Sequence, residues 1–244
     1  MTPRGVGALL AGCLLVLGTT AAACSVAGPQ QVVVSAAASL TEAFDELERT
    51  YEDDNPDVDI VLNLGGSQIL AGQIVDGAPA DLFASANPQS VRLVADAGLG
   101  QGDPIVLATN RLVIVVPAGN PQAVASLGDL VELDVVLGAE EVPVGAYAQE
   151  ALDAAGVTLQ PVSLEPDTRA VVSRVVQGDA DAAIAYATDV VALDAVEGIE
   201  LPADVQPEIT YQVLLLTDGA GGFLEFLAST EAQQILRRFG FSGP

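Results

Sequence analysis

The sequence of 244 residues contains no histidine, no tryptophan and no lysine; all eight basic residues are arginine. Without histidine there is no Ser-His-Asp or Cys-His nucleophilic machinery, and the commonest transition-metal ligand is missing. Cysteine occurs only as Cys13 and Cys24. The rest of the chain can therefore carry neither a disulfide framework nor a cysteine-rich zinc site. Basic charge is equally scarce. Against the eight arginines stand 33 acidic residues, for a net charge of −25. A surface of that sign repels nucleic acid and anionic headgroups, which argues against a nucleic-acid binder. Aromatics make up only 4% of the chain, so a core drawn from its 50% apolar residues must be mostly Val, Leu, Ile and Ala. The length leaves room for one large domain or two modest ones.

What is present begins with an address label. "MTPRGVGALLAGCLLVLGTTAAAC" has a basic start at Arg4, an apolar stretch from Ala8 to Leu17, and small residues up to Cys24. This is a secretory signal pattern, too short for a comfortable membrane span. Small residues directly before a cysteine resemble a bacterial lipoprotein signal. "LAGC" at Cys13 is locally the better match, but cleavage there would strand Leu14 to Leu17 on the mature protein. Cys24 follows a full apolar region and is the preferred lipidation site, with plain secretion as the alternative. Residues 1–24 then form the signal and 25–31 a short tether.

From Val32 onward, strand and helix patterns alternate. Apolar, β-branched runs occur at 32–35, 58–62, 111–116, 134–137 and 211–216, with shorter ones at 81–84 and 182–186. Leu40, Ala43, Phe44, Leu47 and Tyr51 follow helical spacing, as do Ala148, Ala151, Leu152 and Ala155 ahead of Gly156. Val171, Val172, Val175 and Val176 form another face, ended by Gly178. Phe223, Leu224, Leu227, Ile235 and Leu236 read as one last helix. Such alternation means an α/β protein with parallel or mixed sheets and helices on both faces. "LATNRLVIVVPAGNP" (107–121) and "PADVQPEITYQVLLL" (202–216) suit two crossings between two lobes.

Several turns place small or hydroxyl residues where a strand meets a helix. In "AAASLTEAF", Ser39 and Glu42 read as a capping box. The same geometry exposes backbone N–H groups and the positive end of a helix, a seat for an anion. "NLGGSQIL" repeats the situation at Ser67. "EEVPVGAYAQEAL" puts a Pro/Gly turn before a helix, and in "EPDTRAVV" Asp167 or Thr168 can cap the next one. Tyr186 closes the apolar run "AAIAY". Each of these residues alone fits an ordinary cap or core position.

Together, "AAASLTEAF", "GAPADLFASAN", "VPVGAYAQEAL" and "RRFGF" resemble the molybdate-binding proteins of bacterial ABC importers, over nearly all of the mature chain. The resemblance implies a two-lobed periplasmic-binding-protein fold (type II), with 31–109 plus 210–244 as one lobe and 110–209 as the other. It implies no cofactor and no catalysis, with molybdate or tungstate held as an oxyanion. Hydroxyl donors fall on Ser39 and Ser67, amide-only donors on Val144 and Thr168, and a phenol donor on Tyr186, with no direct metal ligation. It also implies ABC permease and ATPase partners and a monomeric receptor outside the cytoplasm, anchored by lipid on Cys24. Two features depart from the family pattern: Ser67 lies in a glycine-flanked turn, and Thr168 replaces a commonly apolar residue. Arg169 is the one cation near these motifs, expected to pair with a carboxylate rather than the ligand.

A site made only of donors rejects oxyanions that carry an O–H, because the acceptor they need is absent. Sulfate differs from molybdate mainly in size, so a receptor for sulfate is the alternative. An enzyme using Asp81 and Asp189 as acid and base, or a purely structural surface lipoprotein, are the readings from other classes.

Overall fold

The computed structural model describes residues 28–191 and 193–244. The signal segment and Cys24 lie outside the described residues. Two five-stranded sheets carry the fold. The first contains β1 (Gln30–Ala37), β2 (Val58–Gly65), β3 (Leu82–Ser85), β4 (Ile105–Asn110) and β10 (Ile209–Leu215), in the order β2-β1-β3-β10-β4. The second contains β5 (Leu112–Pro117), β6 (Val135–Gly138), β7 (Ser163–Glu165), β8 (Ala182–Tyr186) and β9 (Val196–Glu200), in the order β7-β6-β8-β5-β9. Each sheet has three parallel strands, then an antiparallel one, then an edge strand. The lobes are thus topological copies of one another. The chain crosses between them at Arg111, directly after β4, and again between β9 and β10.

The central strands are buried on both faces, which explains their unbroken apolar runs. Every residue of β8 is buried, as are Leu112 to Val116 of β5. Helix α1 (Thr41–Asp54) packs Ala43, Phe44 and Leu47 into the core, joined by α6 (Gly221–Leu227) and α7 (Thr230–Arg238). Helices α2 (Ser67–Val75) and α3 (Pro88–Asp96) cover the opposite face of the first sheet, around Phe83 and Leu214. The second lobe carries α4 (Pro143–Ala155) and α5 (Thr168–Gln177), each closed by a left-handed glycine, Gly156 and Gly178. No helix among the described residues is long and apolar enough to cross a membrane.

Three sequence expectations change. Gln30 and Gln31, assigned to the tether, pair with Val58 and Asp59 and belong to β1. The last helix is two helices, because Ser229 accepts a hydrogen bond from Ala232 N–H and starts α7 afresh. The capping box at Ser39 does not form. Ser39 sits inside a 3-10 turn, Ala38–Leu40, and α1 begins at Thr41. Its hydroxyl goes to Tyr211 and the Glu42 carboxylate goes to Arg169, so neither is left for capping.

Candidate anion-binding site

In sheets of this kind, ligands gather beyond the carboxyl ends of the parallel strands. Each predicted site residue lies there. Ser39 follows β1, Ser67 follows β2, Val144 follows β6, Thr168 follows β7, and Tyr186 ends β8. All five line one cavity of about 20 Å³, with Gly65, Gly66 and Ala86 from the first lobe and Val142, Pro143 and Asp167 from the second. That is somewhat more than the ~10–15 Å³ needed by one water.

The hydrogen bonds around the cavity decide where its polar hydrogens point. The Ser67 oxygen accepts from Ala86 N–H at 3.0 Å, which leaves its own hydrogen for the cavity. Ser39 Oγ lies 2.8 Å from the Tyr211 hydroxyl. Asn110 joins that pair. Its Oδ1 accepts from Arg111 N–H, and its Nδ2 donates to the Tyr211 oxygen at 3.3 Å and to Thr188 Oγ1 at 2.9 Å. Either hydroxyl can be the donor between Ser39 and Tyr211; with Tyr211 as donor, the Ser39 hydrogen is free for the cavity. The Tyr186 hydroxyl is fully buried and finds no partner among the described residues. Burial holds the Tyr186 phenol well above its ordinary pKa, with Tyr211, Tyr147 and Asp189 acting in the same direction, so it keeps its proton and remains a donor. Edge contacts fix its ring, from Tyr186 to Tyr211 at 6.0 Å and from Tyr211 to Phe241 at 5.2 Å.

Backbone amides complete the wall. Ser67, Val144 and Thr168 occupy the first turns of α2, α4 and α5, where N–H groups lack helical acceptors and the helix dipole is positive. Gly145 permits the close docking of α4 on β6; an added Cβ would lie 2.1 Å from the Ala139 oxygen. Thr168 donates its hydroxyl to Asp189 Oδ2 at 2.5 Å, so its side-chain hydrogen is spent and only its N–H remains for a ligand. Asp167, not Thr168, caps α5 through Ala170 N–H. Asp167 also lines the cavity, so the wall is not made of donor residues alone.

Arg169 is absent from this wall. It pairs with Glu42 across the two lobes at 2.5 Å, with both side chains about half exposed. Both residues border a larger cleft of about 520 Å³, as do Asp189, Val191, Leu193 and Phe239. Gln68 Nε2 donates to the Pro166 carbonyl at 3.0 Å, a second tie between the lobes. Asp81 stands before β3, at the opposite strand ends. It accepts from Val33 N–H and from the Thr217 hydroxyl, a structural role that separates it from Asp189.

Tyr211, Asn110 and Asp189 are the contributors that sequence reasoning missed in these roles. Tyr211 reads as a core aromatic in an apolar strand. Asn110 ends β4 in the polar break before β5, which was its only signal.

The family model for bacterial extracellular solute-binding proteins matches residues 32–242. The molybdate-binding protein ModA of Mycobacterium tuberculosis is 36% identical over 251 residues, covering 98% of this chain and 96% of that protein. Among solved structures, the periplasmic molybdate-binding protein of Azotobacter vinelandii superposes with a TM-score of 0.72 at 18% identity, covering 87% of this chain and 99% of that one. The sulfate-binding protein SubI of Mycobacterium tuberculosis gives 0.75 at 19%, covering 88% and 87%. At these identities the two structures speak to the fold alone, which they share with this chain. The matched family model and the near full-length relative place the chain among the bacterial extracellular solute-binding proteins.

Proposed function

We propose that the protein is an extracytoplasmic receptor that binds molybdate, and tungstate with it, and delivers the anion to an ABC permease. The near full-length relatedness to ModA supports the choice of anion. Within the site, one observation carries the reading: Tyr186, whose hydroxyl is buried and without a partner among the described residues, lines the same small cavity as Ser39 and Ser67. A buried hydroxyl left unsatisfied costs about 1–3 kcal/mol. An oxyanion in the cavity removes that cost. Ser39, Ser67 and Tyr186 give O–H donors, and Val144 and Thr168 give N–H donors. Hydrogen bonds to a charged group contribute about 1.5–3 kcal/mol each, and several together offset the desolvation of a dianion.

On this reading the lobes, 31–109 with 210–244 and 110–209, close on the anion as a monomer. Nothing turns over. Cys24 carries the lipid that holds the receptor to the outer face of the membrane, through acyl CH₂ groups at about 0.8 kcal/mol each. Calorimetry against molybdate, tungstate, sulfate and phosphate tests the anion choice. Tight binding of the first two with weak phosphate binding is expected. Preference for sulfate would move the assignment to a sulfate receptor, and no heat with any of the four would reject the reading.

A further inference from the structure

Asp189 forms no part of the small cavity's wall, yet it holds two residues that do. Its Oδ2 accepts the Thr168 hydroxyl at 2.5 Å and Tyr186 N–H at 3.0 Å. One carboxylate oxygen therefore ties the start of α5 to the end of β8. Its far side borders the 520 Å³ cleft. The charged and titratable groups facing it are Arg169 on α5, Glu42 on α1, and the phenols of Tyr186 on β8 and Tyr211 on β10, with Tyr147 of α4 beside those phenols.

We propose that Asp189 is a positioning residue for anion capture that takes up a proton as the lobes close on a dianion. The proposal rests on the oxyanion reading of the small cavity. Thr168 lines that cavity and its hydroxyl bonds Asp189, so a dianion there lies one side chain away from this buried carboxylate, with the Asp167 carboxylate on the wall itself. Two like charges in a poorly solvated space cannot both persist cheaply, and a carboxyl relieves the conflict by protonating. The nearest cation, Arg169, is already held by Glu42. Protonation spares the clamp, because a proton on Oδ1 leaves Oδ2 accepting both bonds. Bulk water supplies the proton through the larger cleft.

The protein's own environment already leans this way. Burial lifts the Asp189 carboxyl up to about 7, against the opposing hydrogen bonds from Thr168 and Tyr186 and the charge of Arg169. A dianion moves it further in the same direction. The sign follows. Where Asp189 is already protonated before binding, affinity does not depend on its titration. As pH rises above about 7, each capture must draw in a proton, and affinity falls by up to about tenfold per pH unit.

The test is calorimetric titration of molybdate into the protein from about pH 7 to about pH 9, in two buffers of different ionisation enthalpy. Asp189→Asn is run beside the unsubstituted protein. Buffer-dependent heat is expected, reporting uptake approaching one proton per anion, with affinity falling as pH rises. Asp189→Asn keeps an acceptor for both bonds; it should bind with buffer-independent heat and a flat pH profile. A merely structural role would lower affinity without changing the proton count. Buffer-independent heat in the unsubstituted protein overturns the proposal, and that measurement suffices if Asp189→Asn fails to fold. Uptake that persists in Asp189→Asn overturns it equally. No heat with molybdate removes the oxyanion reading and this inference with it, whereas binding without proton uptake removes this inference alone.

Discussion

Replacing Tyr186 with phenylalanine deletes one oxygen from the end of β8 and should move stability and affinity in opposite directions. The ring stays where it is, since its edge contact with Tyr211 at 6.0 Å does not involve the hydroxyl. That hydroxyl is buried without a partner among the described residues. Removing such a group relieves a penalty of about 1–3 kcal/mol rather than breaking a bond. For a chain of this length, each kcal/mol moves the melting temperature by about 2–4 °C. The variant should therefore melt at the same temperature as its parent or a few degrees higher.

Toward a bound dianion the balance reverses. The hydroxyl is then a donor to a full charge, worth about 1.5–3 kcal/mol. Its loss should weaken molybdate binding by roughly 10- to 150-fold. Calorimetry gives the affinity, and thermal unfolding without anion gives the stability. Unchanged affinity would take Tyr186 out of the site. A lower melting temperature would show that the hydroxyl has a structural partner and would undo the reasoning from its burial.

Tyr211→Phe should weaken binding by several-fold, because Ser39 loses the donor that turns its hydrogen toward the cavity, and the effect should vanish in a Ser39→Ala background. Additive losses in that double-mutant cycle would disconnect Tyr211 from Ser39. Gly66→Ala places a Cβ 2.7 Å from the Pro166 oxygen of the other lobe. Overpacking of this kind costs about 1–3 kcal/mol, so the melting temperature should fall by about 2–12 °C; an unchanged melting temperature would mean that the lobes do not meet here. With a net charge of −25, the protein should capture an anion faster as inert salt is added, because screening over about 8 Å weakens the repulsion. A stopped-flow association rate that falls with salt would contradict this.

Much of the fold could be read because periodicity and packing coincide. The apolar runs at 32–35, 111–116 and 182–186 are strands buried on both faces, and buried strands leave no polar residues to blur the pattern. The edges were harder. β7 and β9 are short and partly exposed, so their sequences read like loops. The break between α6 and α7 was missed because Ser229 caps a helix inside an otherwise continuous apolar face. At the site, motifs and family resemblance picked out residues that the structure gathers around one cavity. What they could not give was the direction of each hydrogen. Ser39 looks like a cap in sequence because capping is local, whereas its true partner, Tyr211, lies 172 residues away.

Direction is the property on which an anion site without a cationic side chain on its wall depends. A serine is both donor and acceptor, and in an open turn it would offer either to a ligand. Here an interior partner meets each serine oxygen, Ala86 N–H for Ser67 and the Tyr211 hydroxyl for Ser39. With those partners donating, each serine hydrogen is left for the cavity. Thr168 works the other way: Asp189 takes its hydroxyl hydrogen, leaving the backbone N–H as its donor. The cavity thus gathers positive potential from helix ends and oriented hydroxyls, while the single nearby guanidinium is spent on Glu42. This reconciles a strongly acidic exterior with affinity for an anion. Surface charges are screened within about 8 Å of water, but buried dipoles act at contact and with little screening. The same logic sets what may enter. A guest bearing its own O–H needs an acceptor, and the carboxylate on the wall, Asp167, has one oxygen engaged by Ala170 N–H and one left to offer.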